Sequence, residues 1–254
     1  MFCQFIPFQE GDLYSVYHEP EIMDHDDIGI VLCYPYGQEY IRCHRLYVNL
    51  ANKLARRGFH VLRFDYYGTG DSSGDFTLVT VPESLNNIKI VIDQFKESCG
   101  VSRIVLFGVR FGASLAIMYS KIYSIDALVL WNPVLDGSAY LKEIDHSYKR
   151  WLNGSFTKEK NKSGSFMENF GFQFSDILVK EISGVCIEKG KLSENIPSLI
   201  FDVEDWQPDD NKGLLYEKSV NTEYWIKRED VLDKAIVPVH ETEKTIEWLD
   251  KLVF

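Results

Sequence analysis

The chain predicts an α/β fold, a doubly wound and mostly parallel sheet, on three observations. Strand-like and helix-like segments alternate, the helices stop at glycines, and an apolar strand runs through a glycine-flanked turn into a helix of small residues. At 254 residues, 45% apolar and 14% aromatic, the sequence can bury a large core in one unit. With 27 Lys and Arg against 38 Asp and Glu, the net charge is −11 and no polybasic run interrupts it. Nucleic acid and anionic membranes are therefore not expected partners, since binding phosphate needs clustered cations. The start, Met1-Phe2-Cys3-Gln4-Phe5, lacks a basic region followed by an apolar one. No later stretch reaches the roughly 18 apolar residues of a membrane span. The expectation is a soluble cytoplasmic protein. Cys3, Cys33, Cys43, Cys99 and Cys186 are odd in number, scattered and without a C-x-x-C pair. That spacing fits reduced thiols, with neither disulfides nor a metal site, and nothing calls for a cofactor. The oligomeric state is not legible.

Taken in order, Phe2 to Phe8 and Leu13 to His18 read as antiparallel strands. Ile28 to Tyr34 is a buried strand ending at Pro35-Tyr36-Gly37. Arg42 to Arg57 carries Leu46, Leu50, Leu54 and Ala55 at helical spacing and stops at Gly58. Phe59 to Asp65 is the next strand. Pro82 to Cys99 has proline in its first turn, Ile88, Val91, Ile92 and Phe95 on one face, and Gly100 after its end. Arg103 to Phe107 and Asp126 to Trp131 flank the small-residue helix as strands. Pro197 to Val203 and Glu223 to Ile226 read as the last strands, and Pro238 to Val253 as the closing helix.

One stretch breaks the alternation. Between Gly137 and Lys191, Trp151, Phe156, Phe166, Phe170, Phe172 and Phe174 stand among Ser, Asn and Lys. An excursion of that length after the sixth strand passes over the strand C-termini. Residues 138–190 are therefore read as a small cap inserted into a core of 1–137 and 191–254. Its aromatics form either the cap's own core or contacts to a ligand.

Arg103 to Tyr119, R-I-V-L-F-G-V-R-F-G-A-S-L-A-I-M-Y, has the layout of the nucleophile elbow of α/β-hydrolases, G-x-S-x-G, with Arg110 at the serine's place in Gly108-Val109-Arg110-Phe111-Gly112. Asp65-Tyr-Tyr-Gly68-Thr-Gly70-Asp-Ser72 resembles the D-x-x-G-x-G-x-S turn of serine-aminopeptidase-like α/β-hydrolases. With Pro35-Tyr-Gly-Gln-Glu39, Gly70 to Phe76, Gly108 to Ala113 and Leu130 to Gly137, the pattern is similar in order and spacing to the hydrolases associated with exosortase systems. Those are called hydrolases by fold and also carry arginine at the elbow. The resemblance spans residues 28 to 150 and implies the α/β-hydrolase fold; a fold is not a reaction.

A working triad runs Ser, Asp or Glu, His along the chain. Asp202, Glu204 and Asp205 follow the seventh strand, and Asp205 best matches the acid's loop. Where the histidine belongs, the chain reads Lys227-Arg-Glu-Asp-Val-Leu-Asp233, and His240 is the nearby histidine. Substitute nucleophiles are weak: Cys33 lies in an apolar strand, Ser114 lies one turn into the elbow helix, and Ser72 and Ser73 belong to a turn.

Arg110 is then the sharper clue. A guanidinium at a helix N-terminus adds a planar fork to groups that already favour an anion. Glu39, expected on the loop after the third strand, is its expected internal partner. Two readings stay open, a salt bridge closing a dead site and a pocket in which Arg110 holds an anionic or carbonyl-bearing ligand with Glu39 as orienting group or acid/base. Two function classes follow. One is a hydrolase or acyltransferase working by a non-serine route on an ester, thioester or carrier-bound acyl group, with Arg110, Glu39, Asp205 and His240 as candidate catalytic residues. The other is a non-catalytic ligand-binding or scaffold protein. A small acyl ligand or an acyl carrier protein is the partner either class would take.

Overall fold

The computed structural model describes residues 1–9, 11–22, 24–154, 166–189, 196–202, 214–219 and 238–252. Strands β1 (Phe2–Phe8), β2 (Gly11–His18), β3 (His25–Cys33), β4 (Phe59–Phe64), β5 (Arg103–Val109), β6 (Ala127–Trp131), β9 (Ser198–Asp202) and β10 (Leu214–Lys218) form one sheet, and β7 (Phe166–Asn169) pairs with β8 (Phe172–Ser175) in a separate hairpin. The sheet order is β1-β2-β4-β3-β5-β6-β9-β10. β2 runs antiparallel to β1 and β4, and the strands from β4 to β10 are parallel. Every residue of β4, β6 and β9 is buried, as parallel strands covered on both faces require.

Helices α1 (Gly37–Arg56), α2 (Val81–Cys99), α3 (Phe111–Ser120), α4 (Gly137–Gly154), α5 (Asp176–Ser183) and α6 (Val239–Asp250) connect and cover the strands. α1 starts five residues before the helix expected from the leucine spacing, because its first turn turns Glu39 rather than an apolar residue inward. Glu39 therefore sits on a helix and not on a loop. α2 is capped at both ends: the Thr80 side chain accepts from the Glu83 N–H, and Gly100 closes the helix at φ +71. The strand expected at 223–226 lies outside the described residues. The eighth sheet position is held by β10, whose apolar content is too short and too exposed to announce a strand.

The turn after β4 is tied back to β2. The Ser72 hydroxyl donates to the Asp65 carbonyl at 2.7 Å and accepts from the Tyr14 N–H at 2.8 Å, while the Ser73 hydroxyl accepts from the Asp12 N–H at 3.0 Å. These serines close backbone rather than face a site. Among the described residues no helix is long and apolar enough to cross a membrane.

The described residues of the segment between Gly137 and Ile187 fold as α4, the β7–β8 hairpin and α5, with β8 packed on residues 76–78 and α5 on α2. Its aromatics do two things. Tyr148, Trp151 and Phe170 cluster on one another with centroids 5.1–6.0 Å apart, and Phe172 and Phe174 press on Phe76 of the core at 5.2 and 5.0 Å. Phe156 lies outside the described residues.

Candidate functional site

At the centre of the sheet, between its neighbours β3 and β6, β5 turns sharply into α3 through Arg110 at φ +52, ψ −124. A non-glycine residue at positive φ is strained, and such strain is held in place only by surroundings that over-determine it. Both flanking glycines are such surroundings. A Cβ at Gly112 would collide with the Cys33 carbonyl oxygen, and one at Gly108 would lie 2.5 Å from the Ala113 nitrogen. The helix can lie this close to β3 and to its own strand only without those side chains. Behind the turn, the buried Ser114 hydroxyl donates to the Val134 carbonyl at 2.6 Å, fixing α3 to the loop after β6.

The Arg110 guanidinium lies buried between two carboxylates. Its Nε donates to Glu39 Oε1 at 2.9 Å and its Nη2 to Glu143 Oε1 at 2.5 Å. The Tyr140 hydroxyl donates to the second oxygen of Glu39 at 2.9 Å, and its ring lies under the guanidinium, 5.5 Å from centroid to Cζ. That ring in turn stacks on Phe111 at 5.7 Å. Burial works against the arginine's charge, but the carboxylates of Glu39 and Glu143 more than offset it and hold the group firmly protonated. Burial raises Glu143 above the usual carboxylate range, and Arg110 opposes that rise. With its side chain 29% exposed against 10% for Glu39, Glu143 is the carboxylate that reaches solvent.

A pocket of about 310 Å3 opens beside this cluster, lined by Arg110, Tyr140, Glu143, Asp136, Asp202 and Lys189 over an apolar stretch from Pro133 to Leu135. Asp136 caps α4, accepting from the Ala139 N–H at 2.9 Å. Three carboxylates thus face two cations, one of which already carries two ion pairs.

Of the four residues singled out from the sequence, the fold joins Arg110 and Glu39. Asp205 lies outside the described residues; Asp202, at the end of β9, is the acid that borders the pocket. His240, at the start of α6, is exposed and stands 3.6 Å from Glu217 on β10. The ion pairs of the described residues do not bring it to Arg110 or Glu39. Cys33 is fully buried and burial pushes its thiol up to about 12, which makes it inert as a nucleophile at neutral pH. Tyr140 and Glu143 escaped the sequence reading. Their i, i+3 spacing on α4 shares a face with Ile144 and Tyr148, a signal that says they point one way but not at what.

Residues 40–167 match the family model described as serine aminopeptidase, S33. No curated protein matches the chain. Among solved structures, Est1E from Butyrivibrio proteoclasticus with ferulic acid bound is 17% identical over 98% of this chain and 96% of that one, with a TM-score of 0.60. DcsB in complex with its substrate analogue is 14% identical over 99% of both chains, TM-score 0.62. A soluble variant of monoglyceride lipase from Saccharomyces cerevisiae is 11% identical over 98% of this chain and 93% of that one, TM-score 0.61. Such likenesses establish the fold, and with a sheet order of β1-β2-β4-β3-β5-β6-β9-β10 around a strained strand-to-helix turn, this chain belongs to the serine aminopeptidase S33 family of α/β-hydrolases.

Proposed function

We propose that this protein keeps the hydrolase scaffold without serine chemistry, as a pseudo-hydrolase that binds a ligand in the pocket beside a degenerate elbow. The observation that carries this reading is the buried Arg110 guanidinium, held at the elbow by Glu39 and Glu143 where the fold's nucleophile would stand. A serine reaction needs a hydroxyl there and an imidazole within hydrogen-bond reach of it. The chain's six histidines are His18, His25, His44, His60, His146 and His240, and none falls in the segment from 220 to 237 that precedes α6.

The ion pairs also bear on what the pocket takes. A guanidinium already shared by two carboxylates offers little to a further anion, so the salt-bridge reading of Arg110 is favoured over the anion anchor. A neutral acyl group or a cation suits the pocket's surplus of carboxylates better. One observation favours a catalytic reading by a non-serine route on an ester, thioester or carrier-bound acyl group: Glu143 retains its proton more strongly than a free carboxyl and borders the pocket, the placement of a general acid.

Hydrolysis of a short-chain nitrophenyl ester separates the readings. The pseudo-hydrolase reading expects no turnover above buffer, and none from Arg110→Ser either, because no imidazole stands ready to take the hydroxyl proton. Turnover typical of an esterase, unchanged by Cys33→Ala, overturns it. Turnover that falls with Glu143→Gln and survives Arg110→Ser assigns the non-serine route.

A further inference from the structure

A second cavity, sharing no lining residue with the first, lies where α2, α3 and α5 meet. It is a groove of about 680 Å3 over Val81, Met118, Ile177, Val185 and Ile187, with Lys121 and Lys180 also in its lining. That volume is within the range of a small-molecule site. Its walls are apolar although Ile177 is 61% exposed, which costs solvation unless something covers it. The groove's acid is already committed: Glu181 accepts from the Val81 N–H at 2.7 Å, placing its charge at the N-terminus of α2. The two lysines have no such commitment. Among the described residues neither has an ion-pair partner, on a chain whose net charge is −11.

An apolar trough flanked by two uncommitted cations is complementary to an amphiphile with an anionic head. We propose that this groove binds a single long-chain carboxylate, its hydrocarbon chain along Met118, Ile177 and Ile187 and its head group between Lys121 and Lys180. Removing the hydrocarbon chain from water supplies most of the affinity, and the lysines supply the choice of head. The site is independent of the elbow, and its failure leaves the pseudo-hydrolase reading untouched.

Cys186 lines the groove and is exposed, whereas Cys33 and Cys43 are buried. In a Cys3→Ser, Cys99→Ser background, the rate of maleimide labelling at Cys186 reports access to the groove. Dodecanoate below its micelle concentration is expected to slow labelling about tenfold at ten times its Kd, with dodecylamine and dodecanol far weaker. Lys121→Ala with Lys180→Ala is expected to weaken dodecanoate about three- to tenfold without shifting the melting curve. Absence of protection, equal protection by dodecylamine, or an unchanged dodecanoate affinity in the lysine double variant overturns the proposal. Protection that appears with rising protein concentration alone overturns it too, and assigns the groove to a second copy of the chain.

Discussion

Burial disfavours the Arg110 charge, and two carboxylates and the face of Tyr140 compensate for the lost water. Removing the guanidinium strands Glu39 and Glu143, so Arg110→Ala should destabilise the fold by about 3–5 kcal/mol. Pairing it with Glu39→Gln should cost less than the sum of the single changes, since the two share one interaction. Thermal melts of the single and double variants check both, and additive losses would mean that the ion pair carries no coupling. Gly112→Ala tests the turn itself: the new methyl meets backbone rather than a movable side chain, and a loss of about 1–3 kcal/mol is expected by denaturant titration.

At the scale of elements, the β2–β4 seam carries a buried histidine whose tautomer the neighbours dictate. Arg63 Nε donates to His18 Nε2 at 3.0 Å, so His18 donates through Nδ1 to Asn52 Oδ1, also at 3.0 Å. Burial, reinforced by the Arg63 charge, pushes His18 from 6.5 down to about 4. The unfolded chain therefore binds a proton below pH 6.5 that the folded chain refuses until about pH 4. Stability is full above that window and falls as pH drops through it. A His18→Asn variant should show a flatter melting temperature between those pH values than the parent.

For the molecule as a whole, the described part of the α4-to-α5 segment shares the core's buried cluster through Tyr140, Ile144, Phe174, Leu178 and Ile182. Phe174, 1% exposed, packs on Phe76 and against Gly37 at the start of α1. Phe174→Ala should cost about 3–5 kcal/mol by denaturant titration. We propose that residues 138–190 form a cap, so amide exchange should rise first in α4, β7 and β8 while β5 and β6 stay protected. Uniform loosening of the central strands would instead make this segment part of one cooperative core.

The sequence by itself determined the fold class, because alternating periodicity, the glycines of the elbow and the D-x-x-G-x-G-x-S turn are local signals that need no knowledge of distant neighbours. It also named Glu39 as the expected partner of Arg110, but placed it on a loop where the structure has the first turn of α1, and left open whether the pair closes the site or serves a ligand. Tertiary structure alone decided the rest. That Glu143 and Tyr140 complete the cluster depends on α4 crossing over the strand ends, a placement that 33 residues of separation between Arg110 and Glu143 leave unwritten in either segment. The groove of Lys121 and Lys180 is likewise made where three helices meet, and no one of them encodes it. Helix and strand patterns fix which way a side chain faces; what it faces is set by packing across the whole chain.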